Sequence, residues 1–213
     1  MPGHLFDQSS YQVRLDWGVD GLVRVAPSDV IVVVDVLRFS STVIQAVENG
    51  RTVELDAAAH AVSLNGAVVA EAAAGSGATV LLGGLRNASA VARAIMAIQH
   101  ERGDRTSIAV IACGERVSAD AVAPLRFAVE DLLGAGAVVD ALAELGIDHS
   151  SPDAAVAGEG FRALRGAVRH LVTASGSGRE LEASGRRDEV LAAAAVDAAS
   201  VVPVLREGVF GAF

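Results

Sequence analysis

Lysine is missing from this chain. All 17 basic residues are arginine, so a Schiff-base lysine and a phosphate-loop lysine are both excluded. Any anion site must be built from guanidinium forks, backbone N–H groups or hydroxyls. The bias itself reads as the composition of a high-GC coding sequence rather than as a functional signal. Cysteine is nearly missing: a single Cys113 excludes an internal disulfide framework and a cysteine-held structural zinc. Basic charge is in deficit, with a net charge of −9 and a pI near 5.0. Binding a phosphate backbone needs a basic surface, so nucleic acid is not an expected partner.

Long apolar runs are also absent. No segment approaches the roughly 20 residues needed to cross a bilayer. The uncharged stretch 57–70 is short and contains Asn65-Gly66. The first ten residues carry no basic segment followed by an apolar one, so no secretory leader and no membrane partner are expected, and the cytoplasm is the expected compartment.

What is there is a chain of 213 residues, 52% of them hydrophobic, enough to bury a core that offsets the ordering entropy. Residues 11–17 alternate loosely and predict a strand with one wet face. Residues 30–37, rich in Val and Ile, predict a strand buried on both faces, as in a mostly parallel sheet. A helix over 41–48 is stopped by Asn49-Gly50. A strand over 52–55, a helix over 67–74 and a strand over 79–82 follow. Asn87 is placed to cap a helix that runs to about Glu101. Another buried strand over 108–112 leads into a polar loop, 114–124, and a long helix over 126–145. Gly134 and Gly136 inside that helix point to close packing. Pro152 opens a helix to about His170, two helical pieces cover 177–184 and 188–198, and a last strand covers 201–205. Strands alternating with helices predict an α/β fold, a three-layer α/β/α sandwich with a mostly parallel or mixed central sheet. With no linker and no repeat, one domain spanning residues 1–213 is expected.

The chemistry-bearing features are few. Asp35 to Thr42, DVLRFSST, carries the chain from a buried strand into a helix. Ligands in open α/β sheets sit at the carboxyl ends of strands, and a helix start offers free N–H groups. Arg38, Ser40, Ser41 and Thr42 there suit a phosphate or sulfonate, or else Ser40 or Ser41 caps the helix and Arg38 pairs with a carboxylate. Asp35 reads equally as a Mg²⁺ ligand or as an acceptor for loop N–H groups. Glu130 and Asp131 lie about 100° apart on their helix, so only one of the two can face a given site, as an acid, metal ligand or ligand orienter, or else both belong to a solvated helix face. Ser175 to Glu180 is a glycine-rich loop opening a helix; its N–H groups and Arg179 could cradle an anion, or it is one of the ordinary Gly/Ser loops that are common in proteins. Cys113 reads as a small core residue. The five histidines, His4, His60, His100, His149 and His170, have no ligand spacing and read as surface residues.

Taken together these segments resemble the 2-phosphosulfolactate phosphatase family. VVVDVLRFSSTVIQAVENG (32–50) is similar to the family's DVLRATST…NGA segment, and Ser63-Leu64-Asn65-Gly66 stands where the family has Thr-Thr-Asn-Gly-Thr. GATVLLGGLRNASAVA (77–92), VEDLLGAGAVVDAL (129–142) and the block from Ser177 to Phe210 match the remaining family segments in order. The family's Gly-Phe-Asp-x-Gly-Asn-Ser-Pro stretch has no counterpart; only residues 51–62 fill that gap, which makes this a shortened member. The resemblance implies a Mg²⁺-dependent phosphatase that hydrolyses (2R)-phospho-3-sulfolactate to 3-sulfolactate and phosphate, a step toward coenzyme M. It implies catalytic roles for Asp35, Arg38, Glu130 and Asp131, with Asp35 and Asp131 on the metal. Ser41, Thr42, Asn65, Gly66, Ser177 and Arg179 would contact a small phosphoester. The alternatives are a phosphatase for another small phosphoester, or a non-catalytic relative that binds an anionic metabolite. A homodimer is compatible with the sequence, symmetric association being common.

Overall fold

Alternate residues of the central strands point into two separate cores, and this builds the three layers. In the computed structural model, which describes residues 5–56, 59, 63, 65–117 and 123–213, β2 (Val30–Val34) is buried along its whole length. Val30, Val32 and Val34 enter one core, Ile31 and Val33 the other. The same alternation divides β5 (Ile108–Ala112) and β4 (Thr79–Leu82). With β1 (Val13–Trp17), these strands form the parallel part of a seven-stranded sheet, in the order β1-β5-β2-β4-β8-β9-β3. The remaining strands, β3 (Val53–Glu54), β8 (Pro203–Arg206) and β9 (Val209–Ala212), make the other edge antiparallel. The sheet is therefore mixed. Glu207 and Gly208 join β8 to β9, both at positive φ, as a two-residue hairpin turn requires.

One face of the sheet is covered by α1 (Gly18–Arg24), α2 (Phe39–Glu48) and α3 (Gly66–Ala74). The other carries α4 (Ala88–Arg102), α5 (Val129–Glu144), α6 (Pro152–Leu164), α7 (Val168–Ala174) and α9 (Arg187–Ala193). Between α7 and α9 lies α8 (Gly176–Ala183). Ser151 caps α6 by accepting the Ala154 N–H, with Pro152 at the first helical position, a favoured start. The glycines of α5 are there for packing: a Cβ on Gly136 would sit 2.2 Å from the Ala157 carbonyl oxygen of α6, and one on Gly134 2.6 Å from Val36.

Several expectations need correction. The first strand has no wet face, because residues 5–11 and 26–28 fold back to it. Arg14 is buried and donates to the carbonyls of Gln8, Tyr11, Ala26 and Pro27 and to Ser28 Oγ. Asn87 precedes α4 but does not cap it; its amide donates to Leu82 and Val201 carbonyls and ties β4 to the segment before β8. The long helix starts at Val129, since Leu125–Arg126 pairs as a strand (β7) with Glu115–Arg116 (β6). The helix opened by Pro152 ends at Leu164, and a 3₁₀ turn containing Gly166 separates it from α7. His100, His149 and His170 are exposed, as expected, while His4 and His60 lie outside the described residues. Cys113 is buried, and desolvation holds its thiol well above the ordinary range.

Candidate functional site

The chain leaves β2 toward α2 on one face and leaves β5 toward α5 on the other, which opens a crevice at the carboxyl ends of these neighbouring strands. Asp35 follows β2 and Glu115 follows β5, so the crevice begins with two carboxylates. Asp35 is 4% exposed. Its Oδ2 accepts from Ser63 Oγ at 2.9 Å and Gly66 N at 3.0 Å, and its Oδ1 from Phe39 N at 3.2 Å. Glu115 Oε2 accepts from Ser177 Oγ at 2.7 Å.

Both acidic residues at the start of α5 are buried, Glu130 at 2% and Asp131 at 3% exposure. Neither lies on a solvated helix face, and neither is among the residues that line the cavity of the crevice. Asp131 spans the two strand ends: Oδ1 accepts Val36 N at 2.7 Å and Oδ2 accepts Gly114 N at 2.9 Å. Both oxygens accept backbone N–H groups, so Asp131 braces the crevice, and unlike Asp35 it is not among the residues that line the cavity there.

Three of these carboxyls are pushed above the usual carboxylate range. Burial is the main cause for Asp35, partly offset by the Ser63 hydroxyl and two N–H groups, with Glu130 adding repulsion. Burial also dominates for Asp131, with Asp35 and Glu130 adding to it. Glu115 is raised by burial, relieved by Ser177 and raised again by Asp35 and Glu130. Arg126 acts against the shift at Glu115, and the group as a whole forms an acidic floor.

A cavity of about 280 Å³ opens on that floor, lined among others by Asp35, Arg38, Ser63, Asn65, Glu115 and Ser177. Ser177, Glu180, Leu181 and Ser184 also line it; their spacing of three and four marks one face of α8. Arg179 is off that face and exposed, so the structure does not bring it to the crevice. Its place is taken by Arg186, which sequence reasoning missed. Gly185, at φ +78°, ends α8 in a left-handed turn. Gly185 N bonds Glu182 O and Arg186 N bonds Leu181 O, the paired bonds of a glycine-terminated helix. The chain reverses there and Arg186 lies at the cavity. Arg38, at the start of α2, also lines it, and the Leu37–Arg38 peptide is cis.

The hydroxyls of the β2–α2 turn have other duties. Ser40 Oγ accepts from Asp35 N and donates to Val33 O, and Ser41 Oγ donates to Val36 O at 2.8 Å. Thr42 is exposed on the far side of α2, beside Thr52 and Val53. Gly66 contributes shape as well as its N–H: a Cβ there would lie 2.5 Å from Asp35 Oδ2 and 2.6 Å from Phe39 Cβ. Asn65 lines the cavity, and its buried Oδ1 has no hydrogen-bond partner. Glu115 was legible in principle, since it follows a buried strand as Asp35 does. Arg186 was legible only through the glycine before it.

Among the described residues no three of His, Cys, Asp and Glu are grouped closely enough to hold a metal by themselves, and no helix is long and apolar enough to cross a membrane. A model of the 2-phosphosulpholactate phosphatase family matches residues 52–208, about three quarters of the chain. The matched stretch includes Asn65, Glu115, Glu130, Asp131, Ser177 and Arg186. Asp35 and Arg38 lie before it.

Proposed function

The chain belongs to the 2-phosphosulpholactate phosphatase family, and on that footing we propose that it hydrolyses a small, highly anionic phosphoester with Mg²⁺, 2-phosphosulfolactate being the family's own substrate. One observation supports this most directly. A single small cavity sets the carboxylates of Asp35 and Glu115 against the guanidinium groups of Arg38 and Arg186. A phosphoester bound with a divalent cation is the ligand that complements both walls at once.

The residues fit Mg²⁺ in the way phosphoryl-transfer sites hold it, on one or two carboxylates with waters and substrate oxygens, not in an all-protein cage. Asp35 and the unpartnered Asn65 Oδ1 are the hard oxygen donors in this reading; a buried acceptor without a donor calls for a cation or a water. When bound, the cation would draw charge from the phosphoryl oxygens. Arg38 orients the phosphate from the other wall. Glu115 carries the proton for the leaving oxygen: burial keeps its carboxyl above the ordinary range, which suits a general acid, and Ser177 fixes its rotamer. Ser63 and Gly66 hold the Asp35 carboxylate, and Asp131 holds the two loops that carry Asp35 and Glu115.

The test is phosphate release from 2-phosphosulfolactate and a panel of small phosphoesters, with Mg²⁺ and with chelator, alongside Asp35→Asn. The expected result is Mg²⁺-dependent release that falls by about 10²-fold or more in Asp35→Asn, the scale of losing one preorganised charge contact. Release from no ester by well-folded protein would instead identify a non-catalytic anion-binding relative. The preferred ester decides between 2-phosphosulfolactate and another substrate.

A further inference from the structure

We propose that Arg186 is a second substrate-anion contact, and that Glu189 is an internal counter-ion which the substrate's phosphate displaces from the Arg38–Arg186 pair. The inference rests on the phosphoester reading of the cavity and adds to it a specific pair of residues. Arg38 and Arg186 both line the cavity. Glu189, in the first turn of α9, lies outside its lining yet reaches both of them through one oxygen. Its Oε2 is 2.5 Å from Arg186 Nη2 and 3.8 Å from Arg38 Nη1, while its Oε1 accepts from Arg186 Nε at 2.8 Å. Arg186 thus holds Glu189 by two hydrogen bonds and Arg38 lies at ion-pair distance from Oε2 of the same carboxylate, so the two guanidinium groups share one anion.

The electrostatics agree with that geometry. Arg38 is held below its usual range chiefly by burial and then by the like charge of Arg186, with Glu189 and Asp35 acting in the opposite direction. The arginines therefore need an anion between them. Glu189 supplies it at the outer edge, where its side chain is 47% exposed. An exposed ion pair is weak and screened, so it yields to a phosphate that meets both forks. Glu189 thus keeps the arginines aligned in the empty site and lowers the affinity for anions by competing with them. This favours ligands carrying a dianionic phosphate over those carrying a single carboxylate, which must displace the same competitor with half the charge.

The experiment is titration of the full chain with inorganic phosphate by calorimetry at low ionic strength, together with KM and kcat on the best ester. Glu189→Gln is expected to tighten phosphate and lower KM by about 2- to 5-fold, the range set by an exposed ion pair. Arg186→Gln is expected to weaken phosphate about 10-fold or more, as loss of a charged fork does, and Arg186→Lys to recover part of that loss. Arg187→Gln is the control. Arg187 pairs with Glu182 and is not in the cavity lining, so its phosphate affinity is expected to stay within 2-fold of the parent's. Phosphate affinity unchanged in both Glu189→Gln and Arg186→Gln would overturn the proposal while leaving the phosphatase reading intact. The predicted order of phosphate affinities in a protein that turns over no ester would uphold the clamp and remove the phosphatase reading.

Discussion

Gly66→Ala tests whether the crevice is built as described, because one methyl group must enter where α3 begins against Asp35. The added Cβ would lie 2.5 Å from Asp35 Oδ2, 2.6 Å from Phe39 Cβ and 2.9 Å from Asp35 Cβ, and none of these is the loose end of a long side chain. Relief requires the carboxylate to leave the Gly66 N–H, now 3.0 Å away, or α2 and α3 to separate. A hydrogen bond to a charged group contributes about 1.5–3 kcal/mol. Overpacking a tight contact costs about 1–3 kcal/mol. Replacing glycine at a helical position returns about 0.5–1 kcal/mol. Whichever route relieves the contact, the net expectation is a loss of up to about 2.5 kcal/mol, or a fall in Tm of up to about 10 °C for a chain of this size. Activity is expected to fall by about 10²-fold or more even at temperatures where the protein is fully folded, because a displaced Asp35 misplaces everything it holds. Gly160→Ala calibrates the measurement: it sits inside α6 with nothing within 4 Å of a new Cβ, and is expected to raise Tm by about 1–4 °C through helix propensity alone. Urea unfolding and kinetics on both variants supply the numbers. A Gly66→Ala protein as stable and as active as the parent would refute the placement of α3 against Asp35.

The acidic floor predicts how stability depends on pH. Asp35, Glu115 and Asp131 are raised in the folded chain, so their contribution to stability is complete below the unfolded carboxyl value of about 4 and is lost as pH rises through their folded values. Carboxyls held low, such as Asp29 and Glu189, are already ionised above pH 5 and add no slope there. The metal-free protein is therefore expected to melt at lower temperature at pH 8 than at pH 5, and Asp131→Asn to have a shallower slope; a parent Tm that rises over this interval would contradict the reading. Ser177→Ala addresses the proton donor. Its hydroxyl lowers the Glu115 value, so removing it is expected to raise that value and extend the alkaline limb of kcat/KM to higher pH. An unmoved limb would remove Glu115 from the role of general acid.

The layered fold was legible because its signals are local. A run such as Val30–Val34 has no polar residue to place on a wet face, so both faces must be covered, and two cores receive its side chains in alternation. Gly134 and Gly136 were legible for a similar reason: glycine inside an apolar helix has little use other than close approach, and Val36 and Ala157 are what approach. Arg14 shows where such reasoning stops. Alternation marks it as a wet-face residue, yet six acceptors from the two segments that flank β1, Gln8 to Tyr11 and Ala26 to Ser28, surround its guanidinium. A polar side chain can be buried wherever the fold supplies partners, and backbone carbonyls, which every residue carries, leave no mark in the sequence.

The same distinction separates the parts of the site. Asp35 was found because it sits at a junction whose type the sequence announces, a strand end; Gly66 came only through the family resemblance, and Ser63, which holds Asp35 beside it, was not named as a site residue. The hydroxyls beside Asp35 looked like ligand contacts for the same reason, but a strand-to-helix turn has its own unpaired N–H and C=O groups, and Ser40 and Ser41 serve those first. Arg179 and Arg186 reverse the usual intuition. The arginine inside the recognisable glycine-rich motif is carried outward by the helical repeat. The arginine beyond it is carried inward by a glycine that ends the helix. The arginine wall opposite the acidic floor thus depends on the handedness of one residue, Gly185. A change there that kept α8 but lost the left-handed turn would leave every charged residue in the sequence and still take Arg186 from the cavity.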